Sequence, residues 1–143
     1  MITNIRHTGI VVHNLEKAVT FYVGLGFSMW KREMEKGPYI DAVVGLNNVR
    51  IETVKLKSPC GALIELLQYH THPSDKKITN QPSNQLGCSH IAITVDKIDE
   101  AVDYIKSNGG SLVNSTETPP SGAVHVAYCH DPEGVLMEVV EEL

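Results

Sequence analysis

The chain has 143 residues, 42% hydrophobic and 20% charged, which is the balance of an ordinary globular protein and excludes disordered and fibrous classes. Twelve basic against 17 acidic residues give a formal net charge of −5, and no Lys/Arg stripe is present to neutralise phosphates, so no nucleic-acid partner is expected. No apolar run is long enough for a bilayer and no basic-then-apolar leader opens the chain, so the expectation is a soluble, cytoplasmic protein with no membrane partner. Cys60, Cys88 and Cys129 are odd in number and form no C-x-x-C pair, which predicts reduced, packed thiols rather than disulfides or a thiolate zinc site.

The first element is the β-branched run from Ile5 to Val12, read as a strand carrying His7. Leu15, Ala18, Val19 and Tyr22 then make the i, i+3, i+4, i+7 stripe of an amphipathic helix, with Asn14 as N-cap and Gly24 or Gly26 as its stop. Turn signals at Gly37-Pro38 and Asn47-Asn48 precede a strand over Val49 to Leu56, and Pro59 and Gly61 turn the chain into a closing strand that carries Glu65. The segment from His70 to Gly87 is polar, rich in Pro, Ser and Asn, and reads as a linker.

Past the linker the chain repeats itself. An offset of 83 places His7 on His90 in the strand Cys88 to Val95, and carries the helix stripe onto Ile98, Ala101, Val102 and Ile105, with Asp96 as N-cap and Gly109 as stop. A strand over Ala123 to Cys129 follows a turn at Pro119 to Gly122. Asp131-Pro132-Glu133-Gly134 then turns into a last strand, where an offset of 73 places Glu65 on Glu138. The drop from 83 to 73 means about ten extra residues between helix and last strand in the first half, assigned to Glu33 to Asn48. The fold expected is α+β, two tandem βαβββ modules, residues 1–70 and 88–143, joined by a linker at 71–87.

Glu65 shares a strand face with Leu63 and Leu67, and Glu138 with Leu136 and Val140, while the opposite faces are apolar too. A shielded, unpaired carboxylate costs several kcal/mol, and neither apolar run contains a lysine or arginine. A bound cation is therefore expected as the compensation, and it accounts for His7 and His90 as well, at matched points of the two halves beside small residues. If a pseudo-twofold axis relates the halves, two imidazoles and two carboxylates converge on one divalent ion, a mixed N/O set suited to zinc, nickel, cobalt, manganese or ferrous iron. Arg50 is the candidate for a substrate carboxylate or phosphate, or else an exposed strand residue. His70 and His72 form a His-x-His pair able to hold metal but are read as solvated, His13, His125 and His130 as structural, Trp30 as wall or core, and Glu33 and Glu35 as a solvated strand face.

The module His7-x4-Val12, Leu15-Glu16-Lys17-Ala18-Val19-x-Phe21-Tyr22, Leu25-Gly26-Phe27 and Gly61-Ala62-Leu63-Ile64-Glu65-Leu66 resembles the vicinal oxygen chelate superfamily. The second half repeats it with His90 and with Asp131-Pro132-Glu133-Gly134-Val135-Leu136-Met137-Glu138. That superfamily includes glyoxalase I, methylmalonyl-CoA epimerase, extradiol dioxygenases, fosfomycin-resistance transferases and bleomycin-binding proteins. The resemblance implies a single two-module domain with curved, mostly antiparallel sheets around a cup, helices outside, and one divalent metal held by His7, Glu65, His90 and Glu138. It implies a homodimer, with the ligand set inside a protomer or shared between two. Glutamate at position 65 is similar to glyoxalase I, where the epimerase pattern has glutamine, whereas Gly37 to Leu46 and the longer linker imply a different substrate envelope. An acid/base role for Glu33 and Glu35 is implied only by this resemblance, since they lie where some epimerases place a second such residue.

The expected activity is that of a metal-dependent lyase or isomerase moving a proton next to a carbonyl, through an enediolate or enolate, on a small substrate with vicinal oxygens. Glu138, or Glu65 by symmetry, is the catalytic base. The alternatives are a ferrous-iron dioxygenase of the extradiol type, which a fourth protein ligand would crowd, and a non-catalytic small-molecule binding protein.

Overall fold

Strand β1 (Thr8–Val11) buries Ile10 and runs into helix α1 (Leu15–Gly24), whose first turn is closed by the Asn14 side chain accepting from the Lys17 amide at 3.0 Å. The helix buries Leu15, Ala18, Val19, Phe21 and Tyr22, the face given by its period. Strand β2 (Ser28–Lys36), helix α2 (Pro38–Val44), strand β3 (Arg50–Lys57) and strand β4 (Leu63–Tyr69) complete the first half. The second half runs β5 (Ile91–Val95), α3 (Ile98–Ser107), β6 (Ser111–Leu112), β7 (Val124–His130) and β8 (Leu136–Glu142). This computed structural model describes residues 1–143, and the chain divides into two units, Met1–Asp75 and Lys76–Leu143.

Each unit has its own four-stranded mixed sheet, ordered β1-β4-β3-β2 in the first and β5-β8-β7-β6 in the second. The outer pair, β1 with β4 or β5 with β8, is parallel because a helix returns the chain; the other pairs are antiparallel. In the first unit Val54, Leu56, Ile64 and Leu66 are buried on the face that meets α1. In the second, Ala127, Cys129, Met137 and Val139 do the same beneath α3. Those faces are the cores, and the alternation of the strands puts Glu65 and Glu138 on the other side.

The segment expected to hold the extra residues forms α2. Pro38 starts it, Gly45 ends it with φ +71°, and both Asp41 carboxylate oxygens accept 2.8 Å bonds from the Asn48 and Val49 amides. Ile40 packs with Val49, Ile51, Leu67 and Tyr69, so α2 covers one end of the sheet face that bears Glu65. In the second unit residues 78–81 lie over the turn before β8, where Gly134, at φ +88°, meets the Ile78 carbonyl so closely that a Cβ would fall 2.2 Å from its oxygen.

Three local expectations are corrected. Asp96 does not cap α3: the N-cap is Lys97, without a side-chain bond, and the Ile98 amide instead donates to Glu141 on β8 at 3.0 Å. Of the cysteines only Cys129 is packed, Cys60 and Cys88 being exposed. Trp30 is 57% exposed on β2, which removes it from the core.

Candidate metal centre

In the first unit Gly9 lies opposite Glu65 in the parallel β1–β4 ladder. His7, two residues before Gly9, shares its face and reaches the carboxylate: Nε2 stands 3.0 Å from Glu65 Oε2. The second unit repeats the construction. Ala92 lies opposite Glu138, and His90 Nε2 stands 2.9 Å from Glu138 Oε2. The other nitrogen of His90 is fixed by the Ser89 hydroxyl at 2.7 Å, whereas His7 Nδ1 is buried and has no hydrogen-bond partner. A buried polar atom left unpaired costs about 1–3 kcal/mol.

Glu65 has a counter-charge in the folded unit, contrary to the expectation from its apolar run. Lys55 stands opposite it in the β3–β4 ladder, and the ammonium lies 2.6 Å from Oε1. The compensating cation was sought along the strand, but it comes from the neighbouring strand, ten residues away in sequence. Glu33 on β2 flanks the same ammonium at 4.0 Å and pairs with Lys31 at 2.8 Å, which holds its carboxyl below the usual range. Across β1, β4, β3 and β2 the exposed sheet face thus carries an alternating row: His7, Glu65, Lys55, Glu33, Lys31.

Glu138 has a different neighbour. Tyr128 stands opposite it on β7, with its ring 5.2 Å from that of His90. Burial, the Glu138 charge and the hydrogen bond between them together raise the Tyr128 phenol above its ordinary value. The side chain of Glu138 is 26% exposed against 11% for Glu65, so the second pair is the more open.

Each unit therefore supplies one imidazole and one carboxylate, and no group of three or more metal-type side chains forms within either. The pairs fit a divalent ion in geometry and in donor chemistry. Separations of 3.0 and 2.9 Å are those of two ligands, each about 2.1 Å from one ion, at a right angle.

Arg50 is not brought to this place. It is exposed at the start of β3, an odd number of residues from Lys55, and so lies on the opposite sheet face from Glu65. His70 is not a solvated pair with His72, because its Nε2 lies 2.9 Å from Glu52, which also accepts from Arg32 at 2.7 Å. Arg32 in turn reaches Glu16 of α1. His125, read as lacking an acidic partner, stands opposite Glu141 with 3.6 Å between them. His13 bonds the Ser74 carbonyl at 3.0 Å, and buried His130 is held by Ser111 and the Gln81 carbonyl, both structural roles as expected.

The family described as Glyoxalase/Bleomycin resistance protein/Dioxygenase superfamily matches residues 4–139. The chain belongs to this superfamily. Within it, a probable lactoylglutathione lyase of Vibrio cholerae is 31% identical over 96% of this chain and 89% of its own length. A lactoylglutathione lyase of Neisseria meningitidis serogroup A is 30% identical over 95% and 88%. Among solved superfamily structures, a glyoxalase family protein from Bacillus cereus superposes with a TM-score of 0.92 at 28% identity, covering 100% of this chain and 96% of that one. Glyoxalase I from Zea mays, at 17% identity, shares the fold with a TM-score of 0.66 over 98% of this chain and 47% of its own. Mixed α+β architecture with open curved sheets is common to the superfamily neighbours and this chain. No helix is long and apolar enough to cross a membrane.

Proposed function

We propose that the chain holds one divalent cation through His7, Glu65, His90 and Glu138 and acts as a lyase or isomerase, transferring a proton next to a carbonyl of a small substrate with vicinal oxygens. The observation that carries this reading is the repeated His–Glu pair, 3.0 Å in one unit and 2.9 Å in the other, each on the sheet face away from its helix. Two carboxylates balance a divalent charge, and the N/O set suits zinc, nickel, cobalt, manganese or ferrous iron. When bound, such an ion supplies Lewis-acid withdrawal of charge from the carbonyl group.

The protein's own part is to orient and to move the proton. Ser89 fixes the His90 ring so that Nε2 faces Glu138, and the His90 ring in turn lies against Tyr128. The Glu138 carboxylate, the more open of the two, takes the proton from the substrate carbon and returns it to the same or a neighbouring carbon. The lactoylglutathione lyases at 30–31% identity point to thiol hemithioacetals as the first substrates to try. Helix α2, packed on the face that carries Glu65, gives the first unit a substrate wall of its own. A cytoplasmic homodimer is the assembly proposed, and sedimentation at assay concentration checks it.

The test is solvent deuterium exchange with the hemithioacetal of an α-ketoaldehyde and glutathione, alongside acyl-CoA esters and sugar-like ketones. The metal-loaded protein is expected to incorporate deuterium into one of them, the chelated protein not to. Glu138→Gln is expected to lower the rate about 10²–10⁴-fold. Full activity in the chelated protein or in the variant refutes the reading, and oxygen uptake with a catechol under ferrous iron replaces it by oxygenase chemistry.

A further inference from the structure

The two halves keep the same His–Glu pair but differ in what stands behind the carboxylate. The offset of 73 that places Glu65 on Glu138 also places Lys55 on Tyr128, and each of these stands directly opposite its glutamate on the adjacent strand. In the second unit the neighbour is a neutral phenol. In the first it is an ammonium 2.6 Å from Oε1, and 18% of the lysine side chain is exposed.

The two oxygens of Glu65 are divided between different partners: Oε1 is taken by Lys55, and Oε2 faces His7. We infer that Lys55 is a positioning residue, the resident counter-ion of Glu65. It keeps the carboxylate charge-balanced and aimed at His7 without any metal, and its positive charge lowers the affinity of the completed site for a divalent cation. The second part rests on the metal reading given under the proposed function.

The physical reason is a competition for one carboxylate. A carboxylate on a residue only 8% exposed is shielded from water, and the Lys55 ammonium 2.6 Å from Oε1 is the counter-charge that offsets its desolvation. A divalent cation brought to Oε2 then meets a carboxylate already neutralised through Oε1, and an ammonium that repels it across a partly desolvated face. Glu33, 4.0 Å away, places a second carboxylate beside the same ammonium.

The experiment compares wild type with Lys55→Gln, which keeps a donor for Oε1 without the charge, Lys55→Arg, which keeps the charge, Glu65→Gln, and the Lys55→Gln/Glu65→Gln pair. In chelator, Lys55→Gln is expected to melt several degrees below wild type. Lys55→Arg should restore most of the loss, and Lys55→Gln should cost little more once Glu65 is already glutamine. In calorimetric titration with nickel or zinc, Lys55→Gln is expected to bind the ion about tenfold more tightly than wild type, with Lys55→Arg close to wild type.

Melting of Lys55→Gln indistinguishable from wild type in chelator overturns the counter-ion role. Unchanged or weaker metal binding by that variant overturns its effect on affinity. A wild type that binds neither ion overturns the metal reading and the affinity effect with it, while the melting series in chelator still decides the counter-ion role. If Lys55→Gln does not fold, wild-type melting restored in the double variant supports the pair, and a double variant equally unfolded refutes it.

Discussion

The turn before β8 sets where Glu138 arrives, and Asp131 holds that turn. Asp131 is 2% exposed, and its Oδ1 accepts two backbone bonds, from Glu133 at 2.8 Å and from Val135 at 2.9 Å. Removing the side chain leaves both amides without an acceptor in a loop already closed by the Ile78–Gly134 contact. Hydrogen bonds to a charged acceptor contribute about 1.5–3 kcal/mol each, so Asp131→Ala is expected to lose about 3–6 kcal/mol. Near 143 residues, each kcal/mol moves the midpoint by roughly 3 °C, which puts the loss at about 9–18 °C. Asp131→Asn keeps an oxygen where Oδ1 stood and gives up the charge and the second oxygen, so a smaller shift, about a third of that, is expected. Differential scanning calorimetry in chelator reads both variants. Near-ultraviolet circular dichroism at a temperature where the alanine variant is still folded checks that the second unit is intact. Equal midpoints for the two variants, or an alanine variant within about 2 °C of wild type, refute the account of the turn. The consequence for function is one of register: a one-residue slip of β8 would carry Glu138 to the α3 face, away from His90.

Two further outcomes follow from the burial and electrostatics of single groups. Native protein treated with an aromatic disulfide at neutral pH is expected to release two equivalents from exposed Cys60 and Cys88. Cys129, buried and pushed up to about 11, should react only on unfolding, and three fast equivalents would contradict its packing. His70 and then Arg32 hold the Glu52 carboxyl below its usual range, so its contribution to stability is complete above that range and is lost as pH falls through the lowered value. Midpoints measured down the acid limb should therefore drop less steeply in Glu52→Gln than in wild type, and parallel limbs would remove the pair from the acid response.

What the sequence made legible was whatever repeats or has a period. The α1 stripe and the Asn14 cap follow from helical period and cap chemistry, and the placement of each histidine beside its glutamate from the offsets of 83 and 73 and strand alternation. What it hid was set by neighbours distant in the chain. Helix α2 has only seven residues, too few to show a period, and its flanking Gly37 and Gly45 read as turns. The Ile98 amide at the α3 start donates to Glu141 and the Leu15 amide at the α1 start donates to Gln68 at 2.9 Å, both on the last strand of their units, and no local cap motif announces an acceptor that comes from another strand. Yet 141 and 68 differ by the same 73 that relates the glutamates, so the repeat itself contained the signal.

Lys55 shows the same lesson in its sharpest form. Along the chain it is one polar residue between Val54 and Leu56, the pattern of a strand with one wet face, and a lysine there reads as solvated. Only the antiparallel register of β3 with β4 turns a separation of ten residues into an ion pair, and the equal separation of Tyr128 from Glu138 is what marks the position as part of the repeat. The two halves share the imidazole, the carboxylate and the position behind the carboxylate, and differ in the chemistry of that third position, an ammonium in the first and a phenol in the second. They are thus alike in imidazole and carboxylate and unlike in the charge behind them: Glu65 is held by an ion pair with Lys55, while Glu138 is more open and stands beside a phenol, which is why the proposed proton transfer is given to Glu138 and not to Glu65.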